Sequence, residues 1–340
     1  MDKKIYFCYT IVYVIEISMG NSCSIETVAE CYHTVNCENP SMIDITIPLC
    51  NYTDPYITFV IRKSLVKNIK ANSFTTNFDT WVRIITAVEN NWDTVQNSTF
   101  SNFKNVLYID LSDNKIKNIY SPFKGLEQLD SLNLSRNYLT VINTETFVSE
   151  NKNRLYLLDL SYNLMTYLSE EMFVNLQNLK KFYLQGNKMT TLPCELSKYL
   201  QSLDYLNLCC NNLTKFNLTN KYLTSLRSLY LSFNKITTAN ILELKSLEVI
   251  DLSHNNITTF VFDYFERSSY LKYIDLSYNK VSNISFNKNS QQSHHNDNKG
   301  INKPFTKIYL NNNNITVIDK QFFVLFDQIN ELNLAYNKIA

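Results

Sequence analysis

One sequence pattern recurs along most of the chain and limits what it can fold into. The stretch LEVIDLSHNNI at 247–257 returns as LDSLNLSRNYL at 129–139, LDYLNLCCNNL at 203–213 and LKYIDLSYNKV at 271–281. The shared unit is L-x-x-L-x-L-x-x-N-x-L, with ten clear copies between 106 and 339 and two degenerate copies that start at 56 and 82. Successive copies begin 21 to 26 residues apart, with one gap of 34. Such a period predicts a solenoid, in which each coil packs only against its neighbours.

The residue types within the unit predict its local structure. The fourth and sixth positions are apolar and alternate with polar ones, which is the pattern of a short strand with one buried face. The ninth position is Asn in eleven of twelve copies, with Ser64 as the exception. An amide there can bond backbone groups as the chain leaves the strand. Farther along the coil, aromatic residues recur that we expect to form the core of the opposite side: Phe74, Phe100, Phe147, Phe173, Phe265 and Phe323.

The pattern resembles the leucine-rich repeat family over about 285 of the 340 residues. The resemblance implies an α/β repeat solenoid, a curved horseshoe with a parallel concave β-sheet and an irregular or short-helical convex side. It also implies a protein-interaction scaffold without cofactors. The stretch VRIITAVENNWDTVQNSTF leading into IDLSDNKI is similar to insect secreted proteins or Toll-type receptor ectodomains of this family.

The N-terminus predicts secretion. Residues 1–20 read as a signal peptide, with Lys3 and Lys4 before an apolar run and a small-x-small site at Ser18 to Gly20. The alternative, a membrane helix at the start, is disfavoured because the run is interrupted by Glu16 and is shorter than the roughly 20 residues of a span. We expect a secreted or extracellular protein, or a cell-surface one if an anchor follows this sequence. Eight N-x-[ST] sequons predict glycosylation, at Asn51, Asn97, Asn133, Asn212, Asn217, Asn256, Asn283 and Asn314.

Cysteines cluster before the first degenerate repeat. Cys23, Cys31, Cys37 and Cys50 lie in residues 21–55, which resemble the disulfide-bonded N-terminal caps of extracellular members of the family. Four cysteines allow three connectivities, so the pairing stays open. A zinc site that uses Cys31, His33 and Cys37 is the alternative, disfavoured in an oxidising compartment.

Three further cysteines lie inside the repeats. Cys209 and Cys210 occupy the seventh and eighth positions of their copy, and Cys194 lies on the opposite side of the preceding one. If the four cap cysteines pair with one another, three thiols remain. We expect either inert thiols or one intermolecular bond, with Cys210 as the candidate.

The solenoid of about 12 repeats is predicted to fill 56–340. Residues 287–304 account for the longest gap and read as a solvated loop, in which the adjacent His294 and His295 are weak evidence for a metal site. The sequence stops after a repeat Asn without a C-terminal cap. This favours a truncated chain, or an end covered by a partner or by the second copy in a homodimer or heterodimer.

The second, third and fifth positions of the unit predict the concave face, where we expect a protein ligand or co-receptor to bind. Tyrosines fill many of these positions and carboxylates lie between them. The candidates are Tyr108, Tyr156, Tyr183, Tyr205, Tyr230, Tyr273 and Tyr309, with Asp110, Asp159, Asp251 and Asp275. The alternative is that tyrosine suits strands and that Asp is common at the fifth position. Sequons at the tenth position make the edge that bears Asn212, Asn256 and Asn314 a poorer contact area.

Composition excludes several other functions. The chain has 32 Lys and Arg against 31 Asp and Glu, so nothing points to nucleic acid. Only four glycines occur, without a phosphate-binding motif, and no histidine has a triad context. We therefore expect no enzyme and no cofactor. The leading hypothesis is an extracellular recognition scaffold in innate immunity or receptor signalling. The alternatives are an adhesive or structural ectodomain of a cell-surface or matrix protein, and a non-catalytic regulatory subunit of a secreted enzyme.

Overall fold

The computed structural model divides into two compact units, Met1–Leu158 (unit 1) and Asp159–Ala340 (unit 2). The residues that it describes are 22–29, 32–38, 43–45, 56–62, 67–69, 74–76, 79–147, 154–193, 195–217, 222–241, 244–265, 268, 270–285, 306–326 and 328–339. The predicted signal peptide, Cys31, Cys50, Asn51, Cys194 and the loop 287–304 lie outside these residues.

Unit 1 consists of short strands joined by turns. They are β1 Ser22–Ala29, β2 Tyr32–Glu38, β3 Ile43–Ile45, β4 Tyr56–Arg62, β5 Asn68–Ile69, β6 Phe74–Thr76, β7 Val82–Thr86, β8 Thr94–Val95, β9 Tyr108–Asp110, β10 Asn118–Ile119 and β11 Ser131–Asn133. Strand β12, Leu157–Asp159, lies at the division between the units. Two 3-10 turns, Asp79–Trp81 and Thr144–Phe147, interrupt the returns.

The main sheet of unit 1 runs in the order β1-β2-β4-β7-β9-β11. Strands β1 and β2 are antiparallel, whereas the pairs from β2 to β11 are parallel. The β1–β2 register places Cys23 opposite Cys37. The pairing of the cap cysteines stays a prediction.

Unit 2 repeats one strand and one return in each coil. Its strands and helices are β13 Lys181–Tyr183, α1 Leu196–Tyr199, β14 Tyr205–Asn207, β15 Lys215–Asn217, β16 Ser228–Tyr230, β17 Thr238–Asn240, β18 Val249–Asp251, β19 Thr259–Val261, β20 Tyr273–Asp275, β21 Asn283–Ser285, β22 Thr306–Tyr309, α2 Lys320–Leu325 and β23 Ile329–Asn333. The main sheet follows the order β13-β14-β16-β18-β20-β22-β23, with all its pairs parallel. Unit 2 is therefore a parallel β-solenoid, as predicted.

From β9 to β20, each sheet strand of a clear repeat buries its central residue and leaves its neighbours half-buried. In β14, Leu206 is fully buried between the half-buried Tyr205 and Asn207, and β18 repeats the arrangement. The residue at the sixth position is also buried, for example Leu208. Burying these aliphatic side chains stabilises the coil by about 1.5–3 kcal/mol for each one. The alternation predicted from sequence thus fixes which side chains face outward.

The predicted asparagine ladder is present in both units. Asn255, in unit 2, donates from Nδ2 to the carbonyls of Leu231 (2.9 Å) and Leu252 (3.0 Å) and accepts at Oδ1 from the amide of Ile236 (2.9 Å). Asn137, in unit 1, makes the equivalent bonds to Leu111 and Leu134 and accepts from Ile116. Both asparagines are buried. Each one satisfies backbone groups of its own coil and of the coil before it, which would otherwise be buried without partners.

The residue before each ladder asparagine has a left-handed backbone conformation. The eighth position has a positive φ in every copy from 82 onward, whatever its side chain, for example Arg136 (54°), His254 (53°) and Tyr278 (54°). Glycine occupies it once, at Gly186 (φ 70°). A non-glycine residue pays roughly 1–2 kcal/mol in this region. The left-handed conformation is therefore imposed by the neighbouring structure, since the residue lies between a sheet strand and a ladder asparagine whose positions are both fixed by hydrogen bonds.

The return side holds the aromatic core that was predicted, with one correction. Phe100, Phe147, Phe173 and Phe265 are buried, but Phe323 is 49% exposed and Phe322 is buried in its place. The reason is the start of helix α2, where Asp319 Oδ1 accepts from the amide of Gln321 and sets the phase of the helical turn. The prediction for Phe323 was wrong by one residue.

Candidate functional site

Three tyrosines form a continuous ladder on the outward face of the sheet in unit 2. Tyr183, Tyr205 and Tyr230 lie on β13, β14 and β16, with ring centroids 4.9 Å and 5.3 Å apart. The strand register places Tyr183 and Tyr230 on either side of Asn207, so that Tyr205 fills the row beside them. All three are half-buried because each ring covers its neighbour. Such tilted pairs add roughly 0.5–1.5 kcal/mol beyond their buried area.

The packing of the ladder raises the pKa of two of its hydroxyl groups above that of a free phenol. Burial, with the neighbouring Tyr230 and Tyr183, raises the pKa of Tyr205 to about 12. Burial and the carboxylate of Asp251 raise the pKa of Tyr230 above its ordinary value. These phenols therefore act as neutral hydrogen-bonding groups at physiological pH, on rings with few rotatable bonds.

The outward face continues from the ladder to a second tyrosine pair. Asp251 on β18 lies in register between Tyr230 and Asp275. Tyr273 donates to Asp275 Oδ2 at 3.1 Å, and its ring lies 5.5 Å from that of Tyr309. Burial, with the nearby Asp275, raises the pKa of Tyr273. We call this surface the tyrosine face, and its residues are Tyr183, Tyr205, Tyr230, Asp251, Tyr273 and Tyr309.

The fifth-position carboxylates also have a local role that the sequence did not reveal. One oxygen of Asp159, Asp251 and Asp275 accepts from the amide two residues later, at 2.8, 2.9 and 2.8 Å. Asn207 and Asn133 do the same. This capping explains why Asp or Asn recurs at the fifth position without any ligand. The structure therefore supports the alternative interpretation for one oxygen of each carboxylate.

The remaining tyrosine candidates belong to unit 1. Tyr108 donates to Oδ2 of Asp110 on its own strand, at 2.8 Å. Tyr156 is half-buried just before β12. The structure thus places five of the seven candidate tyrosines in the tyrosine face of unit 2.

Sequence reasoning missed an aromatic stack at the eighth position of unit 2. The rings of Phe233 and His254 lie 4.2 Å apart at 10°, and those of His254 and Tyr278 lie 4.3 Å apart at 8°. Phe233 is 56% exposed and Tyr278 is 50% exposed. Reading the eighth position from copy to copy would have shown Phe, His and Tyr in consecutive coils. We call these three residues the edge stack.

The two adjacent thiols differ in exposure. Cys209 is half-buried, and burial beside Cys210 raises the pKa of its thiol to about 12. Cys210 is exposed. A thiol with so high a pKa is a poor nucleophile at neutral pH. The intermolecular bond through Cys210 stays a prediction.

The sequons that the structure describes lie in two environments. Asn97, Asn217 and Asn283 are exposed, whereas Asn133, Asn212, Asn256 and Asn314 are half-buried. Asn133 uses its Oδ1 to accept from the amide of Ser135. Whether any of them carries a glycan stays a prediction.

No group of three or more metal-ligating side chains occurs within the part of the chain that the structure describes. Among the same residues, no helix has the length and apolar character needed to cross a bilayer.

Comparison with known families matches the repeat directly. The family described as "Leucine rich repeat" matches residues 82–139, 127–189 and 177–236, and "Leucine Rich repeats (2 copies)" matches residues 224–263. Together these matches extend over more than half of the chain. The chain belongs to the leucine-rich repeat family. Its asparagine ladder and parallel strands are the structural form of these leucine-rich repeats.

Relatives of this leucine-rich repeat chain are mainly extracellular proteins. Tsukushi of Gallus gallus is 30% identical over 173 residues, which cover 49% of this chain and 46% of Tsukushi. Lumican of Bos taurus is 34% identical over 163 residues, 46% of each protein. Adenylate cyclase of Schizosaccharomyces pombe is 34% identical over 155 residues, which cover 44% of this chain but only 9% of the cyclase. The chain therefore spans less than half the length of these relatives.

Among solved structures, the Toll–Spatzle complex of Drosophila contains a similar leucine-rich repeat chain. Its TM-score is 0.68 at 19% identity, covering 83% of this chain and 38% of that one. At this identity the similarity shows the fold alone.

Proposed function

We propose that this protein is a non-enzymatic extracellular recognition scaffold that binds a protein partner through the tyrosine face of unit 2, in innate immunity or receptor signalling. The observation that carries the proposal is the ladder of Tyr183, Tyr205 and Tyr230, three rings in contact on rigid strands. Tyrosine is enriched where proteins meet because it offers a large contact area at low entropic cost.

The electrostatic character of the tyrosine face indicates what kind of partner fits. Asp251 lies between the two groups of tyrosines, and its second carboxylate oxygen is not needed for the cap on Ser253. The phenols next to it remain neutral donors. A partner segment with Arg or Lys flanked by apolar or aromatic groups would pair with the carboxylate and pack against the rings.

The relatives support an extracellular setting and a binding role. The solved Toll–Spatzle complex is described as a molecular hub in Drosophila development and innate immunity, and its Toll chain has this fold. Lumican and Tsukushi make an adhesive or structural ectodomain the alternative. The third alternative is a non-catalytic regulatory subunit of a secreted enzyme, and the match to a short part of adenylate cyclase shows that similar repeats occur within an enzyme.

The test is capture of a partner from extracellular fluid with the full chain as bait. We expect the Tyr183→Ala, Tyr205→Ala, Tyr230→Ala triple variant to lose at least tenfold in affinity, because interface tyrosines that anchor a contact cost about 2 kcal/mol or more each. A matched control replaces three exposed tyrosines elsewhere, Tyr138, Tyr167 and Tyr270, with Ala.

A second variant tests the same surface without removing any tyrosine, so that a loss of binding does not depend on a loss of packing in the ladder. Val249 is half-buried on β18, in register between Ser228 and Tyr273, and Val249→Arg would place a long charged side chain there without removing a ring. Equal capture by wild type, the triple variant and Val249→Arg, with unchanged circular dichroism, would show that the tyrosine face is not the binding surface.

A further inference from the structure

A row of lysines follows the tenth position of the repeat in unit 2. Lysine and asparagine alternate there, in the order Lys188, Asn212, Lys235, Asn256, Lys280, Asn314 and Lys338. The amide of each tenth residue donates to the coil before it, for example Lys235 to Leu213 and Asn256 to Ile236, both at 2.9 Å. These bonds keep the coils in register, so lysines two coils apart are separated by about 10 Å along the row.

Acidic residues are absent from the same edge. The eighth to thirteenth positions of the seven coils from Gly186 to the end of the chain contain no Asp or Glu. The chain as a whole has 31 acidic residues against 32 Lys and Arg. We define the lysine strip as the five lysines at these positions: Lys188, Lys215, Lys235, Lys280 and Lys338. All five are exposed.

The lysine strip is unusual in lacking partners. Among the described residues, no carboxylate forms an ion pair with any of its five lysines. In unit 1 the same edge carries carboxylates that pair with two of its cations, Lys117 3.4 Å from Asp93 and Arg136 4.0 Å from Asp113, whereas Lys67 and Lys115 form no ion pair within the described part of the chain. The excess positive charge in unit 2 is therefore left for something outside these residues.

Several cations elsewhere in unit 2 are paired. Arg227 lies 3.6 Å from Asp204 and 3.7 Å from Glu248, and Lys272 lies 2.6 Å from Glu248. These residues stand at the second position, at the opposite end of the strand from the lysine strip. Positive charge is thus concentrated on one edge of unit 2, where like charges repel unless an anion binds.

We propose that the lysine strip binds a linear sulfated polysaccharide. A regular polyanion can contact several lysines spaced along one line, and its affinity gains from the counterions that are released. The side chains between the lysines are hydroxyl and amide groups, including the exposed Thr214, Thr237 and Thr258. These groups can hydrogen-bond to sulfate and sugar hydroxyl groups.

Two other polyanions fit the strip less well. Single-stranded nucleic acid gains affinity when successive bases stack on aromatic faces, but the facing sides of the rings in the edge stack cover one another, which leaves the outer faces of Phe233 and Tyr278 there. An extended acidic peptide gains from pockets for its alternate side chains or from an open sheet edge. The strip offers mainly Lys, Thr and Asn side chains on paired backbone instead.

The predicted glycans at Asn212, Asn256 and Asn314 would share this edge. Glycans would stand between the lysines and restrict access to a thin, flexible ligand, which fits a polysaccharide better than a folded protein. Because the polysaccharide contacts lysines and not glycans, the variant Asn212→Gln, Asn256→Gln, Asn314→Gln, which lacks these sequons, should still bind it.

The test is binding of the full chain to immobilised heparin across a range of salt concentrations. We expect wild type to bind at low salt and the Lys188→Gln, Lys235→Gln, Lys280→Gln variant to bind at least tenfold more weakly. The slope of log affinity against log salt should fall by about 2 to 3, close to one for each lysine removed. The sequon variant should bind as well as wild type or better.

The control removes the same charge from another surface. Lys180→Gln, Lys181→Gln, Lys272→Gln changes three lysines at the second and third positions, and heparin binding should be nearly unchanged. Equal losses in the two lysine variants would refute the strip as the site, and so would the absence of heparin binding in both wild type and the sequon variant. Single-stranded DNA or polyglutamate that binds as tightly as heparin would overturn the assignment to a polysaccharide. None of these outcomes depends on the tyrosine face.

Discussion

Units 1 and 2 use the same inward-facing residues but carry different outer edges. Both bury an apolar residue at the centre of the repeat strands from β9 to β20 and use the same asparagine ladder. At the tenth-position edge, unit 1 carries Asp93 and Asp113, which pair with Lys117 and Arg136, whereas unit 2 has the lysine strip without acidic residues and the edge stack. Because each outward position is almost independent of the core, one fold can carry two different surfaces.

The strongest test of the shared interior uses matched ladder residues. Asn137→Ala in unit 1 and Asn255→Ala in unit 2 each remove three donor bonds of the amide and one acceptor bond. We expect each to lower the free energy of unfolding by about 2–4 kcal/mol, because buried backbone groups lose their partners. Urea denaturation followed by circular dichroism measures this. The exposed Asn102→Ala serves as control, and a clear difference between the two variants would show that the interiors are not equivalent.

An intermediate effect is expected at the left-handed eighth position. Gly186→Ala places a Cβ 2.5 Å from Cδ1 of Tyr162 at a φ of 70°, so it should destabilise by about 1–3 kcal/mol. Arg136→Gly in unit 1 relieves the same backbone strain and loses exposed side-chain contacts, among them the 4.0 Å ion pair with Asp113. Its thermal midpoint should stay equal or rise. A fall in the midpoint for Arg136→Gly as large as that for Gly186→Ala would contradict this account.

The smallest effect concerns pH and the buried thiol. The pKa of Cys209 is raised to about 12 in the folded chain, so unfolding favours its deprotonation above the ordinary thiol pKa. Its contribution to stability is complete below that ordinary pKa and is lost as pH rises toward about 12. We expect Cys209→Ser, which restores the serine of other copies, to be less destabilised than wild type between pH 8 and pH 10. Denaturation midpoints at the two pH values measure this, and identical pH dependence in both proteins would argue against a buried thiol.

The sequence predicted the parts of the fold that depend on the period of buried apolar residues and on hydrogen bonds to buried backbone groups. The strand positions and the ladder role of Asn137 and Asn255 followed from spacing alone. The phase of helix α2 did not, because the cap at Asp319 decides whether Phe322 or Phe323 turns inward. The edge stack was missed because its three residues share a left-handed backbone conformation. Sequence normally predicts that conformation from glycine, and Phe, His and Tyr do not indicate it.

The tyrosine face was only partly predictable. Alternation placed its tyrosines on the outward side, but their contact depends on strand register, which sets Tyr205 beside Tyr183 and Tyr230. The sequence did not predict that Asp159, Asp251 and Asp275 accept a hydrogen bond from the amide two residues later. The same residue type at the same position can either cap a turn or bind a ligand, so the sequence alone does not distinguish the two roles.

The asparagine ladder has a direction along the chain. Asn255 accepts from the amide of Ile236 and donates to the carbonyl of Leu231, both in the coil before its own. If the coil of Asn255 opens, the preceding coil therefore loses the ladder bond that protects the amide of Ile236, whereas Asn279 in the following coil loses only bonds to the opened coil itself, at Leu252 and Ile257. Loss of side-chain protection in unit 2 should accordingly extend toward lower residue numbers, while toward higher numbers exchange should increase only at backbone amides that donate into the opened coil, such as Lys280.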